Sequence, residues 1–189
     1  MTSEEFIQKC HSCTKCSLHQ TRKNCVVGKG NINADIMLVG EAPGEVEDMQ
    51  GVPFVGPAGK LLDKYLLAVG IPQDSIYICN ILKCRPPKNR DPLPEESDAC
   101  MELLRDQVRM VKPKVIVCLG RIAAGMLIKK DFKITAEHGK LFEKGKFKMF
   151  AVYHPSALLR DKSKLEAMYS DLEHIKEFCS KEGLIENSN

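Results

Sequence analysis

The stretch Ile36-Met37-Leu38-Val39-Gly40 decides the fold of this chain. Four consecutive apolar residues that end at a glycine are typical of a strand buried on both faces of a parallel sheet. Similar apolar runs occupy residues 76–82 and 115–119. Residues 140–150 alternate apolar residues with Lys or Gly, which predicts a hairpin whose second arm continues through residues 149–153. The sequence therefore predicts four principal strands.

Helical patterns separate these strands. Apolar residues recur at helical spacing in residues 61–69, 95–111 and 165–182, and Gly120 precedes a further short helical stretch. Because strands alternate with helices, we predict an α/β fold with a central four-stranded, mostly parallel sheet and helices on both faces. We expect residues 1–189 to form a single domain.

The composition excludes general disorder, because 43% of the residues are hydrophobic and only 28% are charged. A formal net charge of +3 is compatible with a polyanionic partner but does not identify one. The first residues are polar, and no stretch approaches the roughly 20 apolar residues that cross a bilayer. We therefore expect a soluble, cytoplasmic protein without a membrane partner.

The predicted strands end at residues that can do chemistry. Glu41 follows the first strand, Asn80 lies near the end of the second, Arg121 follows the third, and His154 follows the fourth. Ligands of open α/β sheets bind at the carboxyl ends of the strands. We therefore expect these distant segments to converge on one pocket.

The nine cysteines indicate a metal site, because cysteines in a reducing compartment more often bind metal than form disulfides. Cys13 and Cys16 form a C-x-x-C pair, and Cys84 and Cys100 could complete a four-thiolate site. The spacing alone leaves zinc and an iron–sulfur cluster equally open. Cys10 offers an overlapping C-x-x-C pair, so the spacing does not select one ligand set.

Four motifs occur in order along the chain. They are Gly40-Glu41-Ala42-Pro43-Gly44, Pro-Phe-Val-Gly-Pro-Ala-Gly at residues 53–59, Asn-Ile-Leu-Lys-Cys-Arg-Pro-Pro-Lys-Asn-Arg at residues 80–90, and His154-Pro155-Ser156. Together they strongly resemble the family 4 uracil-DNA glycosylases over most of the chain. The resemblance implies the three-layer fold of that family. It also implies a structural [4Fe–4S] cluster on Cys13, Cys16, Cys84 and Cys100, with the first two in an N-terminal cluster-binding segment.

The resemblance implies hydrolysis of the N-glycosidic bond of deoxyuridine in single- or double-stranded DNA. Uracil would be released and an abasic site left by a protein that we expect to be a monomer. Phe54 is expected to stack on the flipped base. Asn80 is expected to pair with uracil O4 and N3–H, and His154 to donate a hydrogen bond to O2. The backbone of Gly40, Glu41 and Ala42 is expected to line the uracil.

The residue that activates water is left open. The first family of these enzymes carries an aspartate at the position occupied here by Ala42, so another group must act. Glu41, Glu47 and Asn89 are the candidates, and Glu47 could instead exclude the methyl group of thymine. The latter role for Glu47 is the one that we favour.

Contacts to DNA are expected to be electrostatic. Arg85, Lys88 and Arg90 are candidates. A basic hairpin is a further candidate, although a solvated face is the more common explanation of such a pattern and the one that we favour. Its lysines are Lys140, Lys144, Lys146 and Lys148. The resemblance makes Leu158 the wedge that fills the gap left by the flipped nucleotide, and the alternative is an ordinary buried leucine.

Two other functions use the same residues differently. A non-enzymatic iron–sulfur module could bind DNA or relay electrons with the same cysteines, and it would not need Asn80, Phe54 and His154 together. A glycosylase for another deaminated base, such as hypoxanthine or xanthine, is the other alternative. Asn80 favours uracil.

Overall fold

The computed structural model describes residues 1–185. Its sheet contains six strands, in the spatial order β1-β3-β2-β4-β6-β5. The strands are β1 (Lys29–Gly30), β2 (Ile36–Gly40), β3 (Ile76–Asn80), β4 (Val115–Leu119), β5 (Phe142–Lys144) and β6 (Phe147–Val152).

The sheet has two more strands than the four that were predicted. The four central strands β2, β3, β4 and β6 are mutually parallel, as the buried apolar runs indicated. Two antiparallel edge strands extend this sheet, with β1 beside β3 and β5 beside β6. β1 has two residues and β5 has three. Segments this short have no apolar pattern of their own, so their strand conformation depends on the neighbour with which they pair.

Eight α-helices occur in residues 1–185. They are α1 (Ser3–His11), α2 (Glu45–Gln50), α3 (Pro57–Val69), α4 (Pro94–Val111), α5 (Arg121–Leu127), α6 (Ile134–Glu137), α7 (Pro155–Arg160) and α8 (Leu165–Lys181). The side chains of Thr2 and Glu5 form a capping box at α1. None of the described helices is both long and apolar enough to cross a membrane.

Helices cover both faces of the sheet, which gives three layers. Alternate residues of each central strand point to opposite faces. Leu38 and Val117 pack on one face together with Leu62 of α3 and Leu172 of α8. Their sequence neighbours on the other face pack against α4 and α5; this second group includes Met37, Val39, Ile116, Leu104 and Ala123. Burial on both faces explains why the central strands are apolar throughout.

The topology places a crevice at the carboxyl ends of β2 and β4. The connection from β2 leads to β3 on one side, and the connection from β3 crosses to β4 on the other. Ligands of open α/β sheets bind where the direction of strand order reverses in this way. Gly40 and Asn80 are paired in register at this end of the sheet.

Candidate functional site

A cleft of about 500 Å³ opens at the carboxyl ends of the parallel strands. It brings together segments that are distant in sequence: the loops after β2, β3 and β4, and the start of α7. Most of the predicted site residues line it, namely Glu41, Ala42, Glu47, Phe54, Asn80, Asn89, Arg90 and His154. Gly40, Arg85, Lys88 and Leu158 are not among the lining residues.

Asn80 lies at the base of this cleft and is 2% exposed. Its Oδ1 is buried and accepts no hydrogen bond from any residue that the structure describes. Such an orphaned acceptor costs free energy unless a ligand supplies a donor. Gly40 is required beside it, because a Cβ at residue 40 would approach Asn80 Oδ1 to 2.4 Å and Phe54 Cζ to 2.6 Å. The absence of a side chain at Gly40 therefore allows Asn80 and Phe54 to take their positions in the cleft.

Phe54 forms one wall, and its ring centroid lies 6.0 Å from that of His154. Its backbone has a φ of 52°, a left-handed conformation that is strained for a bulky residue. Two contacts hold this conformation. Lys29 Nζ donates to the Phe54 carbonyl at 3.0 Å, and Gly59 packs so closely that its Cβ would lie 2.1 Å from that carbonyl oxygen. The surrounding structure therefore fixes the ring.

His154 is the N-cap residue of α7, and its neighbours define its tautomer. The Ser156 backbone N–H donates to His154 Nδ1 at 3.1 Å, and Ser156 Oγ lies 2.7 Å from the same nitrogen. Because Nδ1 accepts a hydrogen bond, the neutral ring carries its proton on Nε2. Burial of the imidazole, assisted by the nearby charge of Arg160, lowers the pKa of His154 to about 4. The ring is therefore a neutral donor at neutral pH.

The two glutamates of the cleft have different environments. Glu47 Oε1 accepts hydrogen bonds from the backbone N–H groups of Val55 at 3.1 Å and Gly56 at 2.8 Å, at the start of α3. The carboxylate is therefore held against the segment that contains Phe54. Burial and the charge of Asp91 raise the pKa of Glu41.

Asn89, the third candidate for activating the attacking water, is exposed at the rim of the cleft. Its Oδ1 accepts a hydrogen bond from Arg85 Nε at 2.8 Å. Asn89 Oδ1 and Arg85 Nε are therefore hydrogen-bonded to each other at the surface. This leaves the two glutamates as the acidic candidates inside the cleft.

Leu158, the predicted DNA wedge, lies in the core in this structure. Leu158 is 1% exposed and belongs to the hydrophobic core, whereas its neighbour Leu159 is 49% exposed. Successive residues of a helix point in directions about 100° apart, so packing of α7 on the core buries one of the pair and exposes the other. The position of Leu158 fits the ordinary buried leucine that was the alternative.

Arg90, a predicted DNA contact, forms an ion pair within the protein. Its guanidinium donates to both carboxylate oxygens of Glu96, at 2.8 and 2.6 Å, and the Glu96 side chain is 1% exposed. Glu96 in turn accepts the Leu93 backbone N–H at 2.9 Å, at the start of α4. The charge of Arg90 is therefore neutralised within the protein. Lys88 is exposed and Arg85 half-buried, outside the cleft.

The basic hairpin lies away from the cleft. Lys144 and Lys146 flank the turn before β6, at the opposite end of this strand from His154. Lys144 Nζ donates to the Leu127 carbonyl at 2.8 Å, and Lys148 pairs with Glu143. These contacts fit a solvated hairpin face, which was the alternative to DNA binding.

Several residues of the site were missed by the sequence analysis. Ser156 was quoted within a motif but was given no role, although it fixes the tautomer of His154. Lys29 holds Phe54 from 25 residues away, and no sequence pattern announces that contact. Arg160 and Lys164 line the cleft and could have been noticed as cations shortly after His154.

A second cavity collects six of the cysteines. Cys10 and Cys25 lie there together with the four predicted ligands, Cys13, Cys16, Cys84 and Cys100. Arg22 Nη1 donates to Cys84 Sγ at 3.1 Å. No three His, Cys, Asp or Glu side chains of residues 1–185 are placed to hold a single metal ion. The thiols therefore surround a space and do not converge on one point.

The two cavities are neighbours. Ala42 lines the cleft and packs against a group of buried side chains, namely Leu18, Leu82, Cys84 and Cys100. The backbone N–H of Leu82 donates to the Glu41 carbonyl at 3.0 Å. The loop that carries Glu41 therefore rests on the segment that carries the cysteines.

Comparison with known proteins agrees with the motifs. Residues 27–179 match the model of the uracil DNA glycosylase superfamily. A type-4 uracil-DNA glycosylase of Archaeoglobus fulgidus is 45% identical over 186 residues, which cover 94% of each chain. One of Thermotoga maritima is 43% identical over 190 residues, which cover 96% of this chain and 99% of the relative. The chain therefore belongs to the uracil-DNA glycosylase superfamily and, within it, to the type-4 family.

Proposed function

We propose that this protein is a DNA repair enzyme that hydrolyses the N-glycosidic bond of deoxyuridine in DNA, releasing uracil and leaving an abasic site. One structural observation supports the proposal in addition to family membership. Asn80 Oδ1 is a buried acceptor that no described residue satisfies, and it lies in a cleft shared with Phe54 and His154. The cleft thus offers an acceptor, an aromatic face and a neutral donor to a flipped base.

Asn80 reads the base. A carboxamide has an acceptor and a donor, so Oδ1 accepts from uracil N3–H while Nδ2 donates to O4. Cytosine presents the reverse pattern at these two positions and leaves both groups of Asn80 without a partner. Phe54 stacks on the base, and Gly40 leaves the space that the base edge requires.

His154 stabilises the departing base. Negative charge develops on uracil as the glycosidic bond breaks, and the Nε2–H of the neutral imidazole donates to O2. A donor of this kind, already in place before reaction, contributes roughly 10²–10³ in rate. The hydrogen bond from Ser156 to Nδ1 keeps the proton on the nitrogen that faces the base.

Glu41 orients the attacking water, and Glu47 excludes thymine. A carboxylate whose pKa is raised toward the working pH is a better proton acceptor, and Glu41 meets this condition. Glu47 is held by two backbone N–H groups, which fix it beside the wall formed by Phe54. A fixed side chain beside the base leaves no room for a 5-methyl group.

The cysteines fit an iron–sulfur cluster. Four thiols that line one cavity without converging on a point suit a multinuclear centre, in which each thiolate binds a different iron. Cys13, Cys16, Cys84 and Cys100 would hold a [4Fe–4S] cluster, and its contribution is to join the N-terminal segment, the loop after β3 and α4. Hydrolysis of the base requires no electron transfer, so this contribution is structural.

The proposed activity is tested with a panel of oligonucleotides that carry uracil, hypoxanthine, xanthine or thymine. We expect release of free uracil from single- and double-stranded DNA by a monomer, and no release of thymine. An Asn80→Ala/His154→Ala double variant should retain its iron and release no uracil. Tight DNA binding without release of any base by the parent protein would favour the non-enzymatic iron–sulfur module. Uracil release by the double variant at the parent rate would show that the cleft is not the active site.

Leu159 replaces Leu158 as the proposed wedge, because it is exposed on the short helix that follows His154. Leu159→Ala should slow uracil release from duplex DNA more than from single strands, which have no stack to fill. Leu158→Ala is the matched control and should cost about 2–5 kcal/mol of stability, because it empties part of the core. Equal rates for Leu159→Ala and the parent on duplex DNA would remove this residue from the proposal.

A further inference from the structure

Lys83 is a buried lysine that lies between the cleft and the cysteine cavity. Its side chain is 0% exposed. Its Nζ donates to the Asn80 carbonyl at 2.6 Å. The same residue lines the cysteine cavity together with Cys84 and Cys100. One residue therefore contacts the base-reading residue and lines the predicted cluster site.

Gln107 fixes the ammonium of Lys83. Gln107 Oε1 accepts from Lys83 Nζ at 2.6 Å, and Gln107 Nε2 donates to the Val27 carbonyl and to Tyr77 Oη, both at 2.9 Å. Gln107 is itself 0% exposed. Both the oxygen and the nitrogen of this amide form hydrogen bonds. The position of Lys83 Nζ relative to Asn80 is therefore determined by α4 and β3.

The charge on Lys83 has only neutral partners in the described part of the chain. Its two hydrogen-bond acceptors are a peptide carbonyl and an amide, and no Asp or Glu forms an ion pair with it. A fully buried ammonium without an anion is costly. Thiolates that bind a cluster carry net negative charge, and the cysteine cavity is where Lys83 meets such groups.

We propose that Lys83 is a positioning residue that acts in both cavities: its ammonium is the buried counter-charge of the cysteine-bound cluster, and it holds the Asn80 peptide so that the carboxamide faces the base. Both halves of the proposal rest on the proposed function: the first on the proposed iron–sulfur cluster and the second on base recognition by Asn80. Through this one side chain, the cluster would influence base recognition.

The test compares purified, cluster-containing parent protein with Lys83→Met and Gln107→Glu. Iron content, the reduction potential of the cluster and the single-turnover rate of uracil release are measured for each. Lys83→Met removes a buried cation, so the potential should become more negative, and the release rate should fall by roughly 10–100-fold, as for other supporting residues. Affinity for undamaged DNA should not change, because that affinity comes from phosphate contacts.

Gln107→Glu separates the two roles. The new carboxylate neutralises Lys83, so the potential should again become more negative. One carboxylate oxygen can still accept from Lys83 Nζ, but the hydrogen bond to the Val27 carbonyl is lost, so the release rate should fall less than in Lys83→Met. Lys15→Met is the matched control: Lys15 also lines the cysteine cavity but is 50% exposed and pairs with Glu102, so solvent screens its charge. This control should change neither quantity.

Each result decides the proposal. Parent-like potentials in both Lys83→Met and Gln107→Glu would overturn the counter-charge role, and a parent-like release rate in Lys83→Met would overturn the positioning role. If Lys83→Met retains no iron, the potential of Gln107→Glu alone decides the counter-charge role, and an unchanged value overturns it. The potential is measured without DNA, so a parent that released no uracil would refute the proposed function and leave this measurement valid.

Discussion

Replacement of His154 by Asn should remove a pH-dependent loss of stability as well as most of the activity. The native ring is held neutral, with a pKa of about 4 in place of the ordinary 6.5. The unfolded chain takes up a proton as the pH falls through 6.5, and the folded chain does not until about pH 4. Protonation therefore favours the unfolded state. The stability is complete above pH 6.5 and is lost progressively as the pH falls toward 4.

The magnitude follows from the two pKa values of His154. At pH 5 the unfolded ring is almost fully protonated and the folded ring almost fully neutral, which costs about 2 kcal/mol relative to pH 7.5. Asn cannot titrate in this range, and its Oδ1 can still accept the Ser156 backbone N–H as an N-cap. The His154→Asn variant should therefore lose about 2 kcal/mol less than the parent between these two pH values.

Urea denaturation of both proteins at pH 7.5 and pH 5 measures this difference, and other titrating groups cancel in the comparison. In the same pair of proteins, His154→Asn should lower the single-turnover rate of uracil release about 100-fold. Parent activity attributable to His154 should not decline between pH 8 and pH 6, because the donor is already neutral. Identical pH dependence of stability in the two proteins would refute a buried neutral imidazole, and an activity loss only at high pH would show that the protonated ring acts.

Three further substitutions test separate parts of the site. Gly40→Ala should abolish uracil binding and release while costing about 1–3 kcal/mol of stability, because its Cβ would overlap the Asn80 and Phe54 side chains; uracil titration and urea denaturation measure the two effects. Arg90→Ala should lower stability, since it leaves a buried carboxylate without its partner, and DNA affinity measured at constant salt should hardly change. Lys88→Ala should leave stability unchanged and reduce the slope of log affinity against log salt by about one; an unchanged slope would show that Lys88 touches no phosphate.

The central strands were predictable because burial on both faces leaves a continuous apolar run in the sequence. Residues 115–119 were predicted as a strand with the observed bounds. The edge strand β1 was not predicted, since its two residues adopt this conformation only because β3 lies beside them. Helix α2 was also missed, because six residues in a loop rich in Gly and Pro contain too few turns to show a helical period.

The sequence by itself determined the class of fold, the family and the set of segments that meet at the carboxyl ends of the strands. Apolar runs and short motifs are local patterns, and they survive without knowledge of the packing. Only the tertiary structure decided which of Leu158 and Leu159 is exposed, that Arg90 is paired with Glu96, and that Lys83 is buried between two cavities. These properties depend on which distant elements pack against each side chain, and packing in three dimensions is not encoded in the spacing of residues along one segment.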